Sequence, residues 1–70
     1  MTPTTTDAVY EYLRHYIERY GYSPSHREIG RDCYLAESTV RYHLKKLAAE
    51  GRIIMQVGKV RTIGLADMDD

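Results

Sequence analysis

Ser38, Arg41, Tyr42, Lys45 and Ala49 recur at i, i+3, i+4, i+7 and i+11, a spacing that lays two cations, a phenol and a hydroxyl along one face of a helix. Cations and hydrogen-bonding side chains in such a row suit contact with phosphates and base edges. Thr39 and Lys46 stand beside the stripe, and Ser25, Arg27, Lys59 and Arg61 supply further polar or basic groups. Groups for covalent chemistry are scarcer. Cys33 is the only cysteine, so the chain cannot close a disulfide on itself or assemble a Cys-x-x-Cys pair or a thiolate zinc cage. It could act as a nucleophile with a histidine base, but it falls on the apolar side of a short helical segment, where a thiol ordinarily packs. His15 and His26 read as surface residues. His43 lies beside an apolar stripe, where a histidine satisfied by a hydrogen bond is expected over a ligand or a catalytic base. No paired carboxylates, metal-ligand cluster or phosphate loop is present, so neither an enzyme nor a metal or cofactor is expected.

The elements that must position these residues follow from periodicity and capping. Thr4 and Asp7 have capping-box spacing, Val9, Leu13, Tyr16, Ile17 and Tyr20 form one apolar stripe, and Gly21 is a fitting stop, which predicts a helix over 4–20. Tyr22-Ser23-Pro24 reads as extended, with a short strand around Tyr22-Ser23 as an open alternative. Ser25 with Glu28 makes a second capping box, and Ile29 with Cys33 supplies a short buried stripe, so a helix over 26–33 follows. Gly30 inside it costs roughly 1 kcal/mol relative to Ala, which points to close approach of a neighbouring helix. Tyr34-Leu35-Ala36-Glu37 reads as a turn. From Ser38-Thr39 a third helix runs to Gly51, with Val40, Leu44, Leu47 and Ala48 on its apolar side. After Arg52 the pattern becomes strand-like: 53–57 and 60–65 form a hairpin about Gly58-Lys59, where Gly at the first loop position suits a type II′ turn.

Seventy residues make one domain with a small core, assigned here to 1–65, with 66–70 as an acidic tail. The formal net charge is zero, which by itself argues against a nucleic-acid partner, yet its distribution is uneven. Residues 25–65 hold Arg27, Arg31, Arg41, Lys45, Lys46, Arg52, Lys59 and Arg61 against Glu28, Asp32, Glu37 and Glu50, a local excess of +4. Asp67, Asp69 and Asp70 make the tail acidic. No signal-peptide pattern or membrane-length apolar run occurs, and a lone thiol suits a reducing compartment, so a cytoplasmic chain is expected.

Gly21-Tyr22-Ser23-Pro24-Ser25-His26-Arg27-Glu28-Ile29-Gly30, Ser38 through Leu47, Gly51-Arg52-Ile53-Ile54 and Arg61-Thr62-Ile63 together resemble the N-terminal DNA-binding domain of LexA-type repressors. The resemblance covers about residues 5 to 65. Two departures stand out: the turn between the second and third helices is shorter than in that family, and Tyr34 occupies the place of a turn glycine. LexA-type repressors continue into a self-cleaving Ser-Lys peptidase and dimerisation domain, so the resemblance makes this chain either a fragment or a stand-alone regulator. It implies a winged helix-turn-helix, mostly α with a small β-hairpin, whose third helix enters the major groove of double-stranded DNA.

In that pose Ser38, Thr39, Arg41, Tyr42 and Lys45 face bases or nearby phosphates, with Arg41 the best placed for a guanine edge. Ser25 and Arg27, helped by free backbone N–H groups at the start of the second helix, hold phosphate, and Lys46, Lys59 and Arg61 add backbone contacts. A homodimer on DNA stays open. Two rival functions remain: a winged-helix protein-interaction module, and a tyrosine stacking platform for single strands. An interaction module should bury apolar side chains at its contact face, and the third helix offers only Tyr42 and Ala49 there.

Overall fold

The computed structural model describes residues 4–55 and 63–65, and the order of elements is α1 (Thr5–Tyr20), α2 (His26–Cys33), α3 (Glu37–Ala49), β1 (Ile53–Met55) and β2 (Ile63–Leu65). Both expected capping boxes form. The Thr4 side chain accepts from the Asp7 N–H while the Asp7 carboxylate accepts from the Thr4 N–H, and Ser25 and Glu28 do the same at α2. Each box satisfies two backbone donors that a helix start otherwise leaves open. The stops are equally local. Gly21 takes φ 81° and returns its N–H to the Ile17 carbonyl. Gly51 takes φ 76°, and the N–H groups of Gly51 and Arg52 reach back to Ala48 and Leu47, the paired bonds of a Schellman motif.

Val9 and Leu13 of α1, Ile29 of α2, Val40, Leu44 and Leu47 of α3, and Ile53, Ile63 and Leu65 of the strands form one buried cluster. Burying a side chain of this kind is worth about 1.5–3 kcal/mol, so the cluster is what holds α3 between α1, α2 and the strands. The apolar stripe of α1 is only partly core. Val9 and Leu13 are fully buried and Ile17 partly so, but Tyr20 is 52% exposed, because the last turn of α1 buries no residue.

α3 starts one residue earlier than the sequence pattern predicts. Ala36 is its N-cap without a side-chain cap bond and Glu37 is already helical, so the turn is shorter and Ser38 and Thr39 lie in the first turn. Gly30 does allow a close approach, but chiefly of the turn: a Cβ there would stand 2.6 Å from the Leu35 carbonyl oxygen, with the Val40 side chain of α3 at 3.6 Å. Tyr34 ends α2 at φ 59°, ψ 46°, a left-handed conformation that costs a residue with a Cβ roughly 1–2 kcal/mol.

β1 and β2 pair antiparallel, with Ile53 opposite Leu65, Ile54 opposite Gly64 and Met55 opposite Ile63. Unbroken pairing about a two-residue loop at 58–59 would have set Ile53 against Gly64; the loop itself, and the expected strand residues 56–57 and 60–62, lie outside the described residues. Tyr22-Ser23 forms no strand. Instead, the buried Ser23 hydroxyl accepts from the Ile63 N–H at 3.2 Å, so a side chain does at the edge of β2 what a third strand would have done.

Candidate nucleic-acid interface

The candidate interface lies on the outer face of α3. Val40, His43, Leu44 and Leu47 turn inward, which by helical period turns Ser38, Arg41, Tyr42, Lys45 and Ala49 outward, and all five are exposed. Tyr42 is 60% exposed and its ring meets the His43 ring edge-on at 5.1 Å. Lys46 is exposed on the flank of the stripe and Thr39 is half-buried. Neither Ser38 nor Thr39 spends its hydroxyl on capping α3, whose N-cap is Ala36. His43 orients the helix from behind: it is buried, and its Nδ1 lies 2.8 Å from the Thr6 hydroxyl oxygen of α1. This is the satisfied histidine that its place beside the apolar stripe predicts.

α2 brings Ser25 and Arg27 to the same molecule's surface with different freedom. Arg27 is exposed. Ser25 is half-buried, and its hydroxyl oxygen accepts the Glu28 N–H at 3.1 Å while its own N–H donates to the Glu28 carboxylate at 2.9 Å. The N-cap duty and the adjacent carboxylate compete with an anion at that end of α2. Lys59 and Arg61, assigned to the wing from sequence, lie outside the described residues.

The cations divide into two sets. Arg14 pairs with Glu11 and Glu18, Arg31 with Asp32, and Arg52 with Asp7 at 2.9 Å and with Glu50. Arg52 also sits over the Tyr10 ring, 4.3 Å from its centre, so it ties the start of α1 to the start of β1. The guanidinium beside Asp7 and the Thr4 backbone hold that carboxyl below its ordinary value. In contrast, Arg27, Arg41, Lys45 and Lys46 carry no ion pair among the described residues. Arg19 of α1 is likewise exposed and without an ion pair among the described residues, and lies 5.6 Å from the centre of the Tyr20 ring, so it stands apart from the free cations on α2 and α3.

Tyr10, Tyr12 and Tyr22 lie off the apolar stripe of α1 and outside the third helix, and each has a partner in the structure. The Tyr12 hydroxyl donates to Asp32 at 2.5 Å and the Tyr16 hydroxyl to Glu28 at 3.2 Å, two phenols of α1 clasping two carboxylates of α2. Tyr12, Tyr16, Tyr20 and Tyr22 form a ring cluster with centres 4.6 to 6.2 Å apart. Both partners of the clasp are spaced by four residues, a signal the sequence carried. Tyr16 therefore packs as expected, while Tyr20 contributes to an exposed patch in place of the core. Burial, with Asp32 nearby, pushes the Cys33 thiol up, which suits the packing role and works against a nucleophile.

A family model described as the LexA DNA binding domain matches residues 2–62. The chain belongs to the LexA DNA-binding-domain family. Among LexA repressors, that of Staphylococcus haemolyticus is 43% identical over 56 residues, covering 79% of this chain and 27% of the relative. The LexA repressor of Listeria welshimeri is 38% identical over 63 residues, covering 89% and 31%, and that of Clostridium botulinum 40% over 60 residues, covering 84% and 30%. The chain thus spans under a third of the length of these relatives. As a LexA-type domain it keeps three helices and an antiparallel two-stranded sheet in winged-helix order. No helix among the described residues is long and apolar enough to cross a membrane.

Proposed function

We propose that the chain binds double-stranded DNA in a sequence-dependent manner as a transcriptional regulator, most plainly a repressor, acting in the cytoplasm with α3 in the major groove and the hairpin as a wing. The observation that carries this reading is the separation of its cations: Arg14, Arg31 and Arg52 are neutralised by neighbouring carboxylates, whereas Arg41, Lys45 and Lys46 on α3 and Arg27 on α2 are exposed and carry no ion pair among the described residues. An exposed row of free cations on a helix that fits the groove is the arrangement counterion release rewards. LexA-type membership supports the same partner.

In this pose Ser38, Thr39, Arg41, Tyr42 and Lys45 meet base edges or nearby phosphates, Lys46 and Arg27 meet the backbone, and Lys59 and Arg61 extend the contact from the wing. Ser25 acts mainly by fixing α2, since its hydroxyl oxygen already caps the helix. Residues 1–65 form the binding domain and 66–70 an acidic tail.

Random-site selection of duplex DNA with the purified chain tests the proposal. Enriched half-sites are the expected result, and their repetition or absence reports whether two copies bind together. Failure to enrich any duplex, with no binding at low salt, would instead favour a protein-interaction module.

A further inference from the structure

Tyr34 is the one described residue other than glycine with positive φ, and its side chain is 93% exposed. It closes α2 at the position after the last helical residue, where glycine carries no steric penalty. The local backbone shape is complete without the ring: the Tyr34 N–H and the Leu35 N–H both return to the Gly30 carbonyl, the latter at 2.8 Å. Among the described residues the Tyr34 phenol has no hydrogen bond, ring contact or charged partner. The side chain therefore adds strain and returns no contact to the described residues. A strained, exposed side chain with no partner among the described residues points to a contact outside the chain.

Its position indicates what that is. Tyr34 stands three residues before Glu37, the first residue of α3, so at most about 11 Å of chain separates them. The N-cap of α3 makes no side-chain cap bond, which leaves the N–H groups and positive dipole end of its first turn without that partner. Both flanking helices present unpaired cations. A neutral, exposed phenol at the turn that joins these two helices fits a sugar-phosphate backbone, with the hydroxyl donating to a phosphate oxygen and the ring lying against deoxyribose.

We propose that Tyr34 is a DNA-backbone contact at the turn between α2 and α3, clamping the strand that borders the groove occupied by α3. This rests on the duplex-binding reading above. The contact is neutral, so it adds affinity without displacing a condensed cation, unlike Lys45 or Arg41.

The test measures duplex affinity by fluorescence anisotropy, as a function of salt, together with thermal melts, for the wild-type chain, Tyr34→Gly and Tyr34→Phe, using the duplex enriched by selection with the wild type. Tyr34→Gly should raise Tm, since the left-handed conformation becomes free of strain, while weakening DNA binding on the order of tenfold, the scale of one lost hydrogen bond to a charged group. Tyr34→Phe should retain the wild-type Tm and lose a comparable factor. Neither variant should change the slope of log affinity against log salt. Because the glycine variant is the more stable one, its lost affinity cannot be traced to unfolding. Wild-type affinity in both variants overturns the contact and leaves the duplex-binding reading intact. A lower salt slope, or a lower Tm in Tyr34→Gly, also overturns it. Absence of duplex binding by the wild type overturns the reading and the contact together.

Discussion

Arg41 and Lys45 stand about one turn apart on α3, but they do not sit alike. At about 100° per residue Lys45 falls near the outermost line with Ser38, Tyr42 and Ala49, whereas Arg41 flanks it on the side of Ala48. A guanidinium reaches two acceptors of a guanine edge from a flank, which an ammonium on the outer line does less well. Arg41→Ala should accordingly cost on the order of 1–3 kcal/mol in binding and relax preference at one base position, measured by repeating the duplex selection with the variant. Lys59→Ala should weaken all sequences alike and lower the salt slope by about one. If Arg41→Ala preserves the selected motif and Lys45→Ala alters it, α3 enters the groove rotated and Lys45 is the base reader. The exposure of the stripe was legible in the sequence because the buried positions of α3 repeat without interruption. The Tyr12–Asp32 and Tyr16–Glu28 clasp was not read, because Tyr16 on the apolar stripe looks like core, and Tyr12 beside it has no evident partner, until a carboxylated helix is placed against them.

Between elements, the short turn from α2 to α3 is the constraint on which the reading face depends. Glycine to alanine within a helix ordinarily stabilises by about 1 kcal/mol, but at Gly30 the new methyl would meet the Leu35 carbonyl oxygen at 2.6 Å, and backbone must move to admit it. Gly30→Ala should therefore destabilise by about 1–3 kcal/mol, an overpacking cost, and shift the start of α3; a denaturant melt that shows equal or greater stability would refute it. The sequence signalled a close approach at Gly30 but not its partner, since a turn carbonyl leaves no periodic trace. It placed α2 to the residue, because a capping box and a short stripe bound it on both sides. The start of α3 it missed by one residue, because Ser38-Thr39 carry the usual capping side chains and Ala36 does not. A second junction joins α1 to β1 through Asp7 and Arg52. With its folded pKa depressed below the ordinary 3.8, Asp7 contributes stability above about that pH and loses it as the pH falls through the lower folded value. Asp7→Asn should lower Tm near neutral pH and shrink the fall in Tm between pH 6 and pH 3; an unchanged acid-side fall would remove Asp7 from this role.

For the whole molecule, a formal net charge of zero conceals two populations of cations with different work. Arg52 is half-buried, held by Asp7 and Glu50 and seated on Tyr10, so removing it should injure the fold. Lys45 is exposed and unpaired among the described residues, so removing it should leave the fold nearly untouched. On the proposed duplex binding the order should invert. Each phosphate neutralised by a free cation releases condensed counterions, and log affinity falls with log salt by about 0.9 per contact, whereas a cation already neutralised inside the protein has little charge to offer. Arg52→Ala should therefore lower Tm by several degrees and, at a temperature where it remains folded, keep the wild-type salt slope. Lys45→Ala should keep Tm and reduce the slope by about one. Anisotropy titrations at several salt concentrations, paired with melts of the same preparations, measure both quantities. Should Arg52→Ala reduce the slope as much as Lys45→Ala does, its ion pairs must open on the duplex, and the division of cations into structural and reading sets would fail at the junction of α1 and β1.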